Sequence, residues 1–375
     1  MIYLDNAATT RLSDTAAREM RRMEQTIYGN PASLHALGVA AERDVENARA
    51  VVARCLSAKS EEIVFTPGGT FADNAAVIGG ARARRRRGDR VVISAIEHAG
   101  VRESAKRLSE EGFEVVACPP TEEGFRAAIN GRTVLVSAML VNNETGLILP
   151  VEKIPEMIRT AGAPALFHID AVQAFGKMPV NVRTLGCDLM SVSSHKIAGP
   201  KGCGALFVKS GVRILPVVYG GGQEKGLVSG TLNTPAICGF AAAAKEAAEK
   251  LPEHTARFEK LARRFLSLAG ERPYLQVNRE DGGRYAPHIF NISFMGFIGE
   301  NVLHFLEKKE IYVSVGSACS DAGGHGSILA RLGKDKKTVD GAVRVSFGYD
   351  TKEEETDAFF AAADEAAKTL IRKYR

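Results

Sequence analysis

The sequence predicts an α/β protein in which a mostly parallel sheet is covered by helices, followed by a smaller α+β unit. Between about residues 34 and 210, short runs of β-branched and other apolar residues alternate with alanine-rich stretches of helical composition. The short runs are almost continuously apolar, as expected of parallel strands that are buried on both faces. Alternation of strands and helices is typical of a sheet with helices on both sides.

The individual elements follow from these runs. The predicted strands of the sheet are Ile63–Thr66, Arg90–Ser94, 133–137, 165–169, 189–192 and 205–208, and the helices between them include 71–86, 101–111 and 151–161. Segment 235–268 is helical in composition throughout and could link two domains. After it come predicted strands at Ile289–Phe294, 311–314 and 342–347, a glycine-rich stretch at 316–326, and a closing helix from about residue 352. We therefore predict a large domain over 12–255 and a small domain made of 1–11 and 256–375.

Composition narrows the class of protein. The chain has 375 residues, 45% hydrophobic and 25% charged, which is ordinary for a globular protein. A net charge of +5 is too small to indicate nucleic-acid binding without a patterned basic face, and the arginine-rich run 82–87 is interpreted as a solvated helix end. No apolar stretch is long enough to cross a bilayer, and the N-terminus does not have the pattern of a signal peptide.

The cysteines indicate a reducing compartment. The chain has six, scattered along the sequence, and no Cys-x-x-Cys pair indicates a zinc site or a redox motif. A disulfide framework is not expected in a chain of this length and apolar content, so we predict reduced thiols in the cytoplasm and no metal site.

The first motif that indicates chemistry is Phe65-Thr-Pro-Gly-Gly-Thr70, between a predicted strand and a predicted helix. Glycines there allow backbone N–H groups to approach an anion, and the Thr70 hydroxyl adds a donor. The segment lacks the glycine spacing of nucleotide hydrolases and of dinucleotide binders. It indicates either a phosphate cradle or a tight turn.

The second motif, His168-Ile-Asp-Ala-Val-Gln173, follows a predicted strand. Ligands of parallel sheets collect at the carboxyl ends of strands, where Asp170 could pair with a cationic ring nitrogen and Gln173 could donate to a ring oxygen. The alternative is that Asp170 caps a following helix.

The third motif is Ser191-Val-Ser-Ser-His-Lys196, at the end of a core strand. A lysine in this position is costly unless it is paired or used covalently, and an imine with an aldehyde would remove its charge. The alternative is a lysine that extends to solvent from a turn.

The fourth motif, Val315-Gly-Ser-Ala-Cys319, places a thiol among small residues in a predicted mobile loop. Such a setting suits a nucleophile that must move, although most loop cysteines have no chemical role. A phosphate cradle, an acid for a ring nitrogen, an imine-forming lysine and a thiol together are typical of pyridoxal 5'-phosphate (PLP) chemistry.

The chain resembles the cysteine desulfurases of the class V branch of fold-type-I PLP enzymes over essentially its whole length. The resemblance is carried, in chain order, by Tyr3-Leu-Asp-Asn-Ala-Ala-Thr-Thr10, Tyr28-Gly-Asn-Pro-Ala-Ser-Leu-His35, Gly68-Gly-Thr70, Ile96-Glu-His98, Val141-Asn-Asn-Glu-Thr-Gly146, His168-Ile-Asp-Ala-Val-Gln173, Ser193-Ser-His-Lys196, Gly230-Thr231, Gly316-Ser-Ala-Cys319 and Arg344-Val-Ser346.

The resemblance implies an activity and partners. The large domain would bind PLP, and the small one would carry the loop of the catalytic Cys319. L-cysteine would be converted to L-alanine, and its sulfur would pass to a persulfide on Cys319. An acceptor protein would then take that sulfur for iron–sulfur cluster assembly or tRNA thiolation. The family pattern also implies a cytoplasmic homodimer.

The resemblance also implies residue roles. Lys196 would hold the cofactor covalently and move the substrate α-proton, while His98 would stack on the ring and assist proton transfer. Asp170 would pair with the ring nitrogen, and Gln173 with the ring oxygen. The remaining implied contacts are Gly69, Thr70, Ser193, His195 and Thr231 of the partner subunit at the phosphate, and Arg344 and Asn143 at the substrate carboxylate.

The sequence departs from the family pattern at several positions. Phe71 stands where the family usually has Glu, Val228 where it has Arg, and Tyr349 where an Arg is expected. None of these changes removes a group that PLP chemistry needs. Two alternatives remain: a related PLP lyase or aminotransferase, acting for example on selenocysteine or cysteine sulfinate, and a non-catalytic scaffold with the same fold.

Overall fold

The structure is a computed structural model that describes residues 1–316 and 327–374. Two compact units are distinguished by their internal contacts. We call Arg11–Leu140 with Leu149–Leu251 the sheet unit. We call Met1–Thr10, Val141–Ile148 and Pro252–Arg375 the terminal unit. No helix within the described ranges is long and apolar enough to cross a membrane.

The strands form three sheets. They are β1 (Ile2–Tyr3), β2 (Ile63–Thr66), β3 (Arg90–Ser94), β4 (Glu114–Cys118), β5 (Thr133–Met139), β6 (Leu166–Asp170), β7 (Leu189–Ser193), β8 (Gly204–Val208), β9 (Leu275–Val277), β10 (Ile289–Phe294), β11 (Ile311–Tyr312) and β12 (Ala342–Ser346).

The helices surround them. They are α1 (Asp14–Thr26), α2 (Ala36–Leu56), α3 (Gly69–Asn74), α4 (Gly80–Arg84), α5 (Ala99–Glu110), α6 (Glu122–Ala128), α7 (Ile154–Thr160), α8 (Val182–Leu185), α9 (Thr234–Glu249), α10 (Leu251–Gly270), α11 (Gly299–Glu307), α12 (Ile328–Arg331), α13 (Lys336–Asp340) and α14 (Glu353–Thr369).

The sheet unit is built on a seven-stranded sheet in the order β2-β8-β7-β6-β5-β3-β4. Strands β4, β3, β5, β6 and β7 pair in parallel, and β8 pairs antiparallel with both β7 and β2. Each of β5, β6 and β7 is buried along its whole length, as their continuous apolar sequences predict. The predicted mostly parallel α/β sheet is confirmed.

Three strands, β1, β4 and β9, were not predicted from the sequence, and β4 is the one that belongs to the seven-stranded sheet. Strand β4 pairs in parallel with β3 at the edge of the sheet, and four of its five residues are exposed or only half-buried. An edge strand is covered less completely than a central one, although the sequence of β4, Glu-Val-Val-Ala-Cys, ends in four apolar residues.

The predicted helix 71–86 is interrupted. A π-helical turn at Ala75–Gly79 separates α3 from α4. The Gly79 carbonyl accepts a hydrogen bond from the Leu215 N–H (3.0 Å), and a Cβ on Gly79 would lie 2.3 Å from the Leu215 carbonyl oxygen. A tertiary backbone contact therefore competes with the regular helical hydrogen-bond ladder at this turn, and only glycine allows so close an approach.

The predicted helical segment 235–268 forms two helices, α9 and α10, which are separated at Lys250. Pro252 explains the break, because its nitrogen has no hydrogen to donate to the Ala248 carbonyl and its ring would clash with that carbonyl if the helix continued. Proline is well tolerated in the first turn of α10.

The terminal unit has an aromatic core. An antiparallel sheet of order β12-β10-β9 and a parallel pair, β1 with β11, pack with α10, α11 and α14. The largest buried side chains of this core include Phe258, Phe265, Phe290, Phe347 and Phe359. Strand β11 ends at Tyr312, shorter than the predicted 311–314, and Ser314 makes only an isolated bridge to Arg344.

Within the sheet unit, a buried ion pair joins the segment before α9 to helix α2 and strand β2. The Arg49 guanidinium donates to both carboxylate oxygens of Glu224 (2.8 and 2.7 Å) and to the Ile63 carbonyl (3.0 Å). Glu224 also accepts from the Phe65 N–H at 2.6 Å. Its backbone is left-handed, with φ of 47°, and a conformation this unfavourable for a non-glycine residue persists only where surrounding contacts hold it.

We expect Glu224→Ala to lower the free energy of unfolding by about 3 kcal/mol, because the buried Arg49 charge would lose its main partner. Urea unfolding of the purified protein measures this change. Glu110→Ala, which removes the exposed Arg107–Glu110 pair (3.1 Å), should change stability by no more than about 1 kcal/mol. Equal effects of the two substitutions would contradict the role given to the buried pair.

Candidate active site

The carboxyl ends of the parallel strands bring the candidate residues of the sheet unit to one edge. His98 follows β3, Asp170 ends β6, Ser193 ends β7, and Lys196 lies in the 3-10 turn Ser194–Lys196 that follows. Asp170 is in register with Met139 on β5 and with Ser191 on β7. Ligands of parallel sheets bind at this edge because loops and helix starts surround it.

Asp170 is the buried acid of the site. Its side chain is 5% exposed, and Oδ1 accepts a hydrogen bond from the Val172 N–H at 2.9 Å. Burial raises the pKa of Asp170, while the nearby His98 and Lys196 lower it. The next α-helix is α8, well beyond the motif, so Asp170 does not cap a following α-helix. A cation placed beside this carboxylate would offset the cost of its burial.

His98 presents a defined ring nitrogen. It is the N-cap of α5, and its Nδ1 accepts from the Gly100 N–H at 3.0 Å. A neutral imidazole whose Nδ1 is an acceptor carries its proton on Nε2. The His98 side chain is exposed at this edge of the sheet.

In the predicted phosphate cradle, Gly69 leaves a space that no side chain can occupy. A Cβ on Gly69 would lie 2.9 Å from Val172 Cγ2 and 3.5 Å from Ser193 Cβ, so no side chain fits between them. The Ser193 hydroxyl is buried and has no hydrogen-bond partner among the described residues. A buried hydroxyl without a partner is costly, and a phosphate oxygen would satisfy it.

The neighbours of Ser193 complete this half of the site. Thr70 is exposed, and His195 and Lys196 are half-buried. Burial, with smaller contributions from Lys196, Lys201 and Lys177, lowers the pKa of His195 to about 4. His195 is therefore neutral at pH 7 and would act as a hydrogen-bond donor rather than as a cation. Gln173, 4% exposed, lies in the turn after Asp170.

These observations meet the requirements of PLP. An anionic phosphate suits Ser193 and the space at Gly69, a protonated ring nitrogen suits Asp170, and an aldehyde suits Lys196. No group of three or more His, Cys, Asp or Glu side chains within 1–316 and 327–374 is arranged to hold a metal ion.

Two further carboxyl groups near Asp170 were not given a role from the sequence. Glu97 is fully buried and accepts from the Met139 N–H at 2.8 Å, and Asp73 on α3 is 1% exposed. Glu97 directly precedes His98 in the motif Ile96-Glu-His98, which was the available signal. Its burial could not be inferred from sequence, because surface glutamates are far more common.

In the terminal unit, Arg344 is held from two sides. It lies on β12 and is 7% exposed. Its Nη2 donates to Asp5 Oδ1 at 2.6 Å and its Nη1 to the Asn143 carbonyl at 3.0 Å. Its Nε is buried without a hydrogen-bond partner among the described residues. The guanidinium is thus fixed in orientation while one N–H remains available to an anion.

Of the other predicted site residues, the structure describes Asn143 and Thr231. Asn143 is half-buried beside Arg344. Thr231 is exposed, and the Gly230 N–H before it donates to Gln223 Oε1 at 2.9 Å. Cys319 lies outside the described residues, and the five described cysteines are free thiols.

Comparisons with known proteins agree on one family. The family model described as "Aminotransferase class-V" matches residues 2–359. "Cysteine desulfurase IscS" from Clostridium botulinum strain Hall is 37% identical over 365 residues, covering 95% of this chain and 91% of that protein. The protein of the same name from Pseudomonas entomophila strain L48 is 40% identical over 381 residues, covering 98% and 92%.

Solved structures give the same result. A structure titled "NIFS-LIKE PROTEIN" superposes with a TM-score of 0.92 at 35% identity, covering 98% of this chain and 100% of its own. The apo structure of a cysteine desulfurase from Thermococcus onnurineus NA1 superposes with a TM-score of 0.86 at 25% identity, covering 98% and 95%. The similarity therefore extends across both units.

Proposed function

The chain belongs to the aminotransferase class-V family as a PLP-dependent cysteine desulfurase, and we propose that it passes the sulfur of L-cysteine through Cys319 to an acceptor protein. The observation that carries the activity is similarity to desulfurases over nearly the entire chain.

Residues of the sheet unit would hold the cofactor. PLP supplies an electron sink that stabilises negative charge at the substrate α-carbon. Asp170 would keep the ring nitrogen protonated, Gln173 would donate to the ring oxygen, and His98 would cover one ring face. Lys196 would bind the cofactor covalently and then carry the α-proton. The phosphate would be held by Gly69, Thr70, Ser193, His195 and Thr231 of the partner subunit.

Residues of the terminal unit would orient the substrate. Arg344 would bind the α-carboxylate of cysteine through its available Nε–H, with Asn143 beside it. Because Asp5 and the Asn143 carbonyl already fix the guanidinium, little side-chain freedom would be lost on binding.

Cys319 would perform the sulfur transfer. Its thiolate would attack the substrate sulfur, forming an S–S bond as the carbon–sulfur bond breaks, and alanine would be the second product. A free thiol with a pKa of about 8.5 is only a few per cent ionised at pH 7, so a base must take its proton. Two histidines are candidates: His98, and His325, which lies outside the described residues.

The sulfur acceptor would be a protein of iron–sulfur cluster assembly or tRNA thiolation. Both uses need sulfur delivered as a persulfide rather than as free sulfide. The five described cysteines are free thiols, as is usual in a reducing compartment, so we infer a cytoplasmic location.

Exposed apolar residues of the sheet unit support a homodimer. Leu34 is 98% exposed, Tyr219 78% and Tyr28 69%. Burying such residues in a second copy would remove apolar surface from water. The exposed position of Thr231 is also what a contribution to the partner's site would require.

We expect purified protein to release alanine from L-cysteine and, with a reductant, an equal amount of sulfide. Cys319→Ala should retain the visible absorption of the cofactor and lose at least about 100-fold in alanine formation, because the carbon–sulfur bond would lack its nucleophile. Cys55→Ala, which removes a half-buried thiol, is the control. Normal alanine formation by Cys319→Ala would refute the role of Cys319.

We expect Arg344→Lys to raise KM for cysteine about 10- to 100-fold, because a point charge replaces an oriented guanidinium in a charge-assisted hydrogen bond worth about 1.5–3 kcal/mol. Steady-state kinetics measures the change. Arg264→Lys alters an exposed ion pair with Asp357 (2.6 Å) in the same unit and should leave KM unchanged. An unchanged KM for both variants would leave Arg344 a structural role only.

We expect the wild-type protein to sediment with the mass of two chains. Leu34→Asp should shift it toward the monomer and weaken PLP retention, since Thr231 of the partner subunit would be lost from the phosphate site. Ile371→Asp, at a position 92% exposed in the terminal unit, is the control. A wild-type monomer with full PLP retention would exclude the dimer.

A further inference from the structure

Three carboxyl groups are buried together beside the candidate cofactor site. Asp73 lies on α3, Glu97 between β3 and α5, and Asp170 at the end of β6; they are 1%, 0% and 5% exposed. Burial raises the pKa of Asp73 and of Glu97, and repulsion from Asp170 raises both further. The proposed function uses Asp170 alone, so the two other carboxyls need an explanation.

The carboxyl of Glu97 has few compensating contacts. Oε1 accepts from the Met139 N–H (2.8 Å), the residue in register with Asp170, and Oε2 is buried with no hydrogen-bond partner among the described residues. Burial outweighs the side-chain hydrogen bond with Ser94, the Met139 N–H and the Arg102 charge, which lower the pKa of Glu97. The Arg102 guanidinium donates to the Glu97 backbone carbonyl (2.8 Å). A charge buried with so little support is strongly disfavoured.

Asp73 has no cationic partner in its immediate surroundings within the part of the chain that the structure describes. Its Oδ1 lies 3.7 Å from His168 Nε2. The two ring nitrogens of His168 are 2.8 Å from the Ser137 hydroxyl and 2.9 Å from the Ser191 hydroxyl. Burial lowers the pKa of His168 to about 3, so its ring is neutral at pH 7 and cannot balance a carboxylate.

Apart from Arg102, no described group that faces the three carboxyls is a cation acting on Glu97. Cys118 on β4 is a buried thiol whose pKa is raised to about 12, first by burial and then by Glu97. His98 and Lys196 act on Asp170 and lower its pKa. Burial, and then repulsion from Asp170, raise the pKa of Glu97 to about 8, and the same two causes raise the pKa of Asp73.

We propose that Glu97 and Asp73 are positioning residues that remain protonated at neutral pH, so that Asp170 carries the single negative charge of the cluster, opposite the ring nitrogen of PLP. This inference rests on the role proposed for Asp170. With more than one anion, repulsion would favour protonation of Asp170 itself, and a protonated Asp170 could not hold a ring N–H cation. The neutral carboxyls keep the shape of the site without competing for that cation.

The test is the pH dependence of urea unfolding of the PLP-loaded protein and of Glu97→Gln. The folded protein would hold a proton on Glu97 that the unfolded chain releases above its ordinary pKa of 4.5, so this stability contribution is lost as pH rises toward about 8. The amide of the Glu97→Gln variant cannot titrate. We expect the ratio of wild-type to Glu97→Gln unfolding constants to rise up to about tenfold per pH unit between about pH 5.5 and 7.5.

Glu62→Gln is the matched control. Glu62 is equally buried in the same unit, but backbone and side-chain hydrogen bonds, together with Arg183, lower its pKa to about 2. Glu62 is ionised in both the folded and the unfolded chain above about pH 5.5. The ratio of wild-type to Glu62→Gln unfolding constants should therefore not vary between about pH 5.5 and 7.5. A flat ratio for Glu97→Gln would show that Glu97 is ionised and would overturn the proposal.

Infrared spectroscopy of the wild-type protein keeps the test valid even if a variant does not fold. A carbonyl band of protonated carboxyl should be present at pH 7 and weaken by about pH 9.5. Absence of that band at pH 7, or its persistence in a folded double variant Glu97→Gln, Asp73→Asn, would place the proton elsewhere and overturn the proposal.

Asp170→Asn tests the underlying assignment separately: unchanged PLP affinity and absorption in that variant would refute the role of Asp170, whatever the result for Glu97.

Discussion

The rest of the site depends on one constraint, the burial of a negative charge at the end of β6. Asp170 lies beneath the sheet edge, where a carboxylate is costly unless a cation faces it. The groups around it lower that cost in ways visible in the structure. His98 and Lys196 lie near enough to favour the ionised form, and the Val172 N–H donates directly. Under the role proposed for Asp170, a protonated ring nitrogen would complete this arrangement.

The terminal unit applies the same principle to a positive charge. Arg344 is buried on β12, and three segments far apart in sequence converge on it: Asp5 after β1, Asn143 after β5, and β12 itself. The N-terminal strand is anchored there by pairing with β11 and by the Asp5 bridge to Ser346. A guanidinium oriented by its own unit loses little freedom when it binds a carboxylate, which is an advantage for a small substrate with few other contacts.

Sequence reasoning succeeded where a local pattern reflects a local environment. Strands β5, β6 and β7 are apolar throughout because they are central, and the motif residues at their ends necessarily meet at one edge of a parallel sheet. It failed where the cause is remote. The π-helical turn reflects a contact between Gly79 and Leu215, and the role of Asp5 depends on its pairing with the distant Arg344. The burial of Glu97 is not revealed by its neighbours in sequence. The motif residues at the strand ends were thus easier to predict than the distant side chains that orient them.

The departures from the family pattern follow the same physical logic. Phe71 and Val228 stand where the family usually has an acid and a base, and both are half-buried against one apolar cluster of the sheet unit. At both positions an apolar side chain avoids the cost of desolvating a charge beside that cluster. Tyr349 likewise replaces an expected Arg by an aromatic contact, stacking on His254 with ring centroids 4.0 Å apart. Phe71, Val228 and Tyr349 are thus packing positions in this chain, while Asp170, Lys196 and Arg344, to which the proposed function gives charged roles, are kept.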